Sequence, residues 1–359
     1  MQRAQPLSEI VDQLVQRISA AAAQGTPLCI RGGGSKGFYG EQPRGAVLAT
    51  GAYRGIIDYA PSELVVTARA GTPLAELEAV LANEGQMLAF EPPHFGPATL
   101  GGCVAAGLSG PRRANAGAVR DFVLGVRLLD GMGNDLSFGG QVMKNVAGFD
   151  VSRLMAGALG TLGVLLEVSL KVLPLPKAQA TLRFELSAAD AIESMNRWAG
   201  AAHPISATRW NDGELLARLS GAGAAVEAAA RALGGERVDE QHAAASWLAV
   251  REHSEPYFET QFPLWRLSVK STSAMPDVPG AQLIEWGGAL RWLATDADTH
   301  RVRAIASTCG GHATLFRASD KAAGVFAPLS PALMAIHRKL KRSLDPKGIL
   351  NPGRMYPDL

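Results

Sequence analysis

Glycine is what most narrows the fold here: 40 of 359 residues are glycine, well above ordinary usage, and many sit in runs, at 32–34, 101–110 and 157–163. A backbone without Cβ atoms can approach a ligand closely or adopt positive φ, so such runs demand a use. In Arg31-Gly-Gly-Gly-Ser-Lys-Gly-Phe38 successive N–H groups can form a nest for phosphate oxygens, with the Ser35 hydroxyl and the Lys36 or Arg31 charge beside it. A tight surface turn is the alternative reading of the same residues. Neither GxxxxGK[ST] nor GxGxxG with a following acidic strand residue occurs here, which disfavours a P-loop or a Rossmann site. Gly157-Ala-Leu-Gly-Thr-Leu-Gly163 precedes a strand instead of opening a helix.

A second glycine segment is Thr99-Leu-Gly-Gly-Cys-Val-Ala-Ala-Gly-Leu-Ser-Gly-Pro-Arg-Arg113. It suits either a large flat group resting on backbone or a closely packed small-residue helix, and Arg112 and Arg113 are placed to face an anion. Gly117-Ala-Val-Arg-Asp-Phe-Val123 and Met143-Lys-Asn-Val-Ala-Gly-Phe-Asp150 follow. In the latter, Lys144 and Asn145 stand between apolar residues, where burial without partners is expensive. Three glycine-rich segments within one domain favour a bound cofactor more than any one does.

The chain is long enough for two domains. Its net charge of +2, without a basic block, disfavours a nucleic-acid partner. Cys29, Cys103 and Cys309 are scattered, so neither a disulfide framework nor a thiolate metal cluster is expected, and no metal site is assigned. The N-terminus has no apolar signal core, and no run of about twenty apolar residues occurs, which predicts a cytoplasmic protein.

Periodicity predicts an amphipathic helix over 7–24, short strands at 28–30, 47–50, 56–59 and 63–69, and a helix to Asn83 capped through Thr72, Pro73 and Glu76. A hairpin is predicted at 123–138 around Asp130-Gly-Met-Gly-Asn134, and a strand at 162–172. The prolines at 174 and 176 mark a linker. Beyond it, helices at 187–201, 223–233 and 333–340 alternate with strands at 179–185, 207–210, 215–219 and 264–269, an α+β unit.

Taken in order, these segments resemble the FAD-binding domain of the vanillyl-alcohol oxidase type, also called the PCMH-type flavoprotein fold, and within it a subunit of bacterial glycolate oxidase. Arg31 to Gly37 resembles the pyrophosphate loop; Thr99 to Ala105, with Gly101, Gly102 and Cys103, resembles the segment that passes the flavin. Lys144 to Asp150 resembles K-N-x-x-G-[YF]-D, and Gly160-Thr161-Leu-Gly163-Val164 resembles G-[ST]-x-G-[VI]. The ending Asp345-Pro-Lys-Gly-Ile-Leu-Asn351-Pro-Gly353 resembles D-P-x-x-[IL]-[LF]-N-P-G.

The resemblance implies a PCMH/VAO-type domain of two α+β subdomains over 1–175, an α+β cap over 176–325 and a return segment over 326–359. It adds Arg120 and Asp121 to the cofactor residues. It also implies a GlcD-like flavoprotein and a GlcF-like iron–sulfur subunit as partners, glycolate or another small 2-hydroxy acid as substrate, and peripheral attachment at the inner membrane through the complex. Covalent members attach the flavin to a histidine in the first glycine loop, where this chain has Ser35, so noncovalent FAD is expected.

Oxidation of a 2-hydroxy acid by flavin needs a base for the hydroxyl proton and a cation for the carboxylate. His312 and Arg113 are the leading candidates, with His94, Arg112, Arg317 and Lys144 behind them. Gly310-Gly-His-Ala-Thr-Leu-Phe316 keeps one histidine of the family's metal-binding G-H-x-x-D-G-N segment and lacks its acid, second glycine and asparagine. Glu285-Trp-Gly-Gly288 and Trp292 suit either a wall of the flavin site contributed by the cap or, more economically, packing of cap on core. An FAD subunit active within a complex, an autonomous FAD-dependent oxidoreductase and a non-catalytic scaffold are therefore the three functional expectations.

Overall fold

A computed structural model describes residues 6–140, 150–275 and 277–359. The first helix, Leu7–Gln24, buries Ile10, Leu14 and Ile18 on one stripe and ends at Gly25 in a left-handed cap. It packs on two parallel strands, Leu28–Arg31 and Ala46–Ala49. Leu350, near the end of the chain, bridges in parallel to Leu28 and extends this small sheet.

The next layer is a five-stranded antiparallel sheet in the order Ile56–Ala60, Val65–Arg69, Val164–Lys171, Val123–Leu129, Asp135–Gly139. The helix Leu74–Asn83 covers it through Leu74, Leu77 and Leu81. That helix lacks the expected side-chain cap: Thr72 turns away, its Oγ1 accepting from the Gly55 amide at 2.9 Å. In the hairpin turn, Asp130 accepts from the amides of Met132 and Asn134.

Residues 178–317 build an eight-stranded sheet in the order Glu236–Arg237, Ala178–Glu185, Glu214–Gly221, Ile205–Asn211, Ala281–Glu285, Leu290–Ala294, Leu264–Ser268, His312–Arg317. Four of these strands, 236–237, 281–285, 290–294 and 312–317, and the helices Glu240–Glu252 and Thr299–Thr308 were not anticipated from periodicity. Charged residues interrupt the apolar alternation in several of them.

Several contacts tie this sheet and the segment after it to the rest. Glu91 is gripped by Arg112 from its own side and by Arg218 from the sheet, the latter at 2.8 Å to both carboxylate oxygens. Burial pushes the Glu91 carboxyl up, but the two guanidiniums outweigh it and hold it below its ordinary value. On the other flank, Lys321 donates to the carbonyls of Phe38 and Gly40.

The final helix, Pro331–Leu344, returns the chain to the first layer. Its buried Lys341 donates to Asp345 (2.7 Å) and to the carbonyls of Thr161 and Leu350. Asp345 in turn accepts from the amides of Ile349 and Leu350. Among the described residues no helix is long and apolar enough to cross a membrane.

Candidate cofactor site

A cleft of about 470 Å³ opens where the small sheet, the segment 99–106, the loop 158–163 and the C-terminal tail converge. Arg31 to Gly37 form one wall. Among the described residues, the backbone amides of Gly32, Gly33, Gly34, Ser35 and Lys36 donate to no protein acceptor. Five successive unengaged amides at a cleft wall are an anion nest, since buried N–H groups normally have partners. Arg31, Lys36 and Arg354 add three cations to the lining, and no Asp, Glu or His lines it among the described residues.

The glycines of this wall are required by close approach. A Cβ on Gly33 would stand 1.5 Å from the Pro97 carbonyl oxygen, and one on Gly32 would stand 2.3 Å from Thr99 Oγ1. Gly34 has φ +78°, which favours glycine. Thus the first two glycine segments of the sequence meet here. Lys36 reaches across to the His94 carbonyl at 3.2 Å, and burial lowers its pKa.

Thr99 caps the seven-residue helix Leu100–Ala106, its Oγ1 accepting from Gly102 N at 3.3 Å. Gly101 N is already bonded to the Ala70 carbonyl, and a Cβ there would meet Ala70 Cβ at 2.7 Å. The segment is therefore both a packed small-residue helix and a cleft wall, with Gly101, Gly102 and Ala105 on the lining. Cys103 points the other way, into the core, and burial pushes its thiol up to about 12.

Gly160, Gly163 and Asn351 also line the cleft, whereas Thr161 and Val164 are buried behind it. Thr161 Oγ1 donates to the Ala158 carbonyl. Asn351 is a three-way bolt: its Oδ1 accepts from Ile30 N at 2.7 Å, its Nδ2 donates to the Leu159 carbonyl at 2.6 Å, and its own amide donates to the Leu28 carbonyl.

Other sequence-derived candidates do not line the cleft. Arg120 is exposed, and Asp121 accepts from the Ala118 amide, closing a local turn. Arg113 lies with its guanidinium 4.4 Å from the Trp286 ring centroid. His312 is exposed at the start of an edge strand, and burial of its ring lowers its pKa. Lys144 and Asn145 lie outside the described residues.

Arg354 is the charged lining residue that sequence reasoning missed among the described residues. It donates to the carbonyls of Gly37, Tyr39 and Glu41 and so holds the far end of the glycine loop in place. Its signal was adjacent: it follows Asn351-Pro-Gly353 directly.

An anion nest of unengaged amides, flanked by cations and set in an elongated cleft between two α+β layers, fits a dinucleotide pyrophosphate. Comparison with known proteins agrees with that chemistry. Residues 8–139 match the FAD binding domain, and residues 319–355 match the C-terminal domain of FAD linked oxidases. A solved alkyldihydroxyacetonephosphate synthase shares the fold, with a TM-score of 0.66 at 15% identity over 95% of this chain and 74% of its own. Fold and cleft together define an FAD-binding flavoprotein of the PCMH, or vanillyl-alcohol oxidase, type with noncovalently held FAD.

Glycolate oxidase subunit GlcE of Escherichia coli K12 is 50% identical over 347 residues, 96% of this chain and 97% of that protein. The chain belongs to the GlcE family of glycolate oxidase subunits. Glycolate oxidase subunit GlcD of Bacillus subtilis is 27% identical over 48% of this chain and 37% of its own length.

Proposed function

We propose that this chain is the FAD-holding subunit of an assembly that oxidises glycolate, or a similar 2-hydroxy acid, to the 2-oxo acid, with electrons leaving through a partner iron–sulfur subunit. The run of five unengaged amides facing the cleft carries the cofactor half of this reading. Residues 32–36, Arg354 and Lys36 would hold the pyrophosphate; Thr99, Ala105 and Leu159 would flank the remainder. Bound FAD supplies two-electron acceptance followed by transfer onward.

In this reading residues 1–175 hold the cofactor, 176–325 form the cap and 326–359 return to lock the cleft. The partners are a GlcD-like flavoprotein and a GlcF-like iron–sulfur subunit, and the assembly meets an inner-membrane acceptor through them. The wording of the relatives' names supports the substrate and the GlcD-like partner.

Within the assembly we place the removal of the hydroxyl proton on a partner. Among the described cleft-lining residues there is no imidazole or carboxylate to take it. His312 stands on an exposed strand end, and His253, stacked on Phe258, has its pKa driven down to about 3 by burial of the ring and by the nearby Arg317 and Arg266. An imidazole whose pKa lies far below neutral is a poor proton acceptor at neutral pH.

The test is reconstitution. Glycolate-dependent reduction of an artificial acceptor is measured with the GlcD-like and iron–sulfur subunits together, with and without this chain. Activity that appears only when the FAD-loaded chain is added supports the proposal; equal activity without it refutes the subunit role.

A further inference from the structure

The glycine loop that walls the cleft has a neighbour that does not line it. The segment 94–97 runs beside the loop: the Pro97 carbonyl abuts Gly33, a Cβ on Gly96 would stand 3.7 Å from Ser35 Cβ, and the His94 carbonyl accepts from Lys36 Nζ at 3.2 Å. Lys36 Nζ also lies 5.7 Å from the centroid of the Phe95 ring. The shape of the nest therefore depends on where 94–97 sits.

That segment is strained. Phe95 has φ +52°, a region that non-glycine residues avoid, and Gly96 follows at +116°. The amides of His94 and Phe95 reach no backbone carbonyl among the described residues. Both donate instead to one carboxylate from the other layer, Glu252, at 3.0 and 2.9 Å.

Glu252 ends the helix Glu240–Glu252, whose Trp247 and Val250 pack against Ala207 and Leu216 of the eight-stranded sheet. Arg251 Nε donates to Glu252 Oε1 at 2.9 Å and helps to fix the carboxylate. A charged acceptor shared by two amides is among the stronger hydrogen-bonding arrangements. Its negative charge also acts on Lys36, favouring the ammonium against the burial that lowers its pKa. Glu252 does not itself line the cleft.

We propose that Glu252 is a positioning residue for FAD: it fixes the segment 94–97, which in turn fixes the glycine loop and Lys36 where the pyrophosphate binds. The grip on the cofactor is thereby coupled to the seating of the helix 240–252 against the layer that holds the nest. The proposal rests on the reading of the cleft as the FAD site. A tie that only joined the two layers would lower stability without a selective loss of cofactor.

The test titrates FAD into the full chain after removal of its flavin, following flavin fluorescence, and records the thermal midpoint of the same FAD-free samples. Glu252→Ala is expected to raise the FAD dissociation constant about tenfold or more, and Glu252→Gln, which keeps an acceptor for the amides, by less. Trp286→Phe cuts a different bond between the layers, from the indole N–H to the Gly110 carbonyl, and should leave the constant within about twofold of wild type. The decisive comparison is a double-mutant cycle. Lys36→Met should weaken FAD binding by a smaller factor in the Glu252→Ala background than in wild type, because Lys36 is no longer held in place there. Should Glu252→Ala not fold, Glu252→Gln takes its place in the cycle. Wild-type affinity in the Glu252 variants, factors for the two substitutions that simply multiply, or an equal loss in Trp286→Phe overturns the proposal while leaving the cofactor reading intact. A wild-type chain that takes up no FAD overturns both.

Discussion

In the cleft, five backbone amides face open space beside Arg31, Lys36 and Arg354, whereas in the small pocket beside Trp286 the Glu285 carboxyl is buried against Trp292 with the partly buried Arg266 nearby. The cleft presents its positive character on main chain held by glycine packing and by Arg354. The pocket presents it on one side chain, with an acid beside it that burial keeps protonated. Backbone donors cannot titrate and cost little to preorganise, so the first arrangement suits a permanently held cofactor.

The contrast can be broken most severely at Gly33. Gly33→Ala places a methyl group 1.5 Å from the backbone oxygen of Pro97, so the loop must move; loss of FAD from the purified protein is expected by released-flavin absorbance. Gly51→Ala, where a Cβ meets nothing within 4 Å, should keep its FAD. Retention of FAD by Gly33→Ala would remove the loop from the cofactor site.

Next in size is Lys341→Met, which strands Asp345 without its cation in a buried site. It should cost about 3–5 kcal/mol in urea unfolding, and it tests whether the tail that bolts the cleft is stabilising in its own right.

Glu285 gives the pH signature of the pocket. Its folded pKa of about 8 lies above the ordinary 4.5, so between these values the unfolded carboxyl is ionised while the folded one keeps its proton. Raising pH through that window therefore favours unfolding: Glu285 contributes a loss of about 2–3 kcal/mol from pH 6 to pH 8, levelling off above 8. Glu285→Gln should remove that slope in denaturant titrations. An unchanged slope would show that the carboxyl is already ionised in the fold. The smallest effect is expected at the exposed pair Arg338 and Asp358, where Arg338→Ala should change stability by less than about 1 kcal/mol.

How much of this was legible in the sequence follows the same division. Glycines at 32, 33, 101 and 160 announce themselves because no other residue fits where a Cβ would strike backbone or a fixed side chain. The Asn351 motif was likewise readable, since its side chain satisfies groups on two distant segments. Arg354 escaped notice because a lone arginine after a turn carries no pattern, although its position did.

Arg266 and Glu285 were not legible at all as a pair. Each sits in a short strand where a charged residue reads as the solvent face, and they come together only when the strands 264–268 and 281–285 flank 290–294. Arg113 was singled out because it ends the second glycine segment and could face an anion; the structure puts its guanidinium against Trp286, and it does not line the cleft. Similarly His312, read from a remnant of a metal-binding segment, belongs to an edge strand, and among the described residues no cluster suited to a metal occurs.

The most direct test of the account is an absorbance spectrum of the purified chain, before and after acid precipitation, followed by anaerobic addition of glycolate to the intact protein. FAD released into the supernatant, together with a bound flavin that stays oxidised in the presence of glycolate, is the predicted result. A chain that yields no flavin even after incubation with FAD would contradict the cofactor site, and a flavin that bleaches with glycolate alone would contradict the assignment of the proton-removing step to a partner.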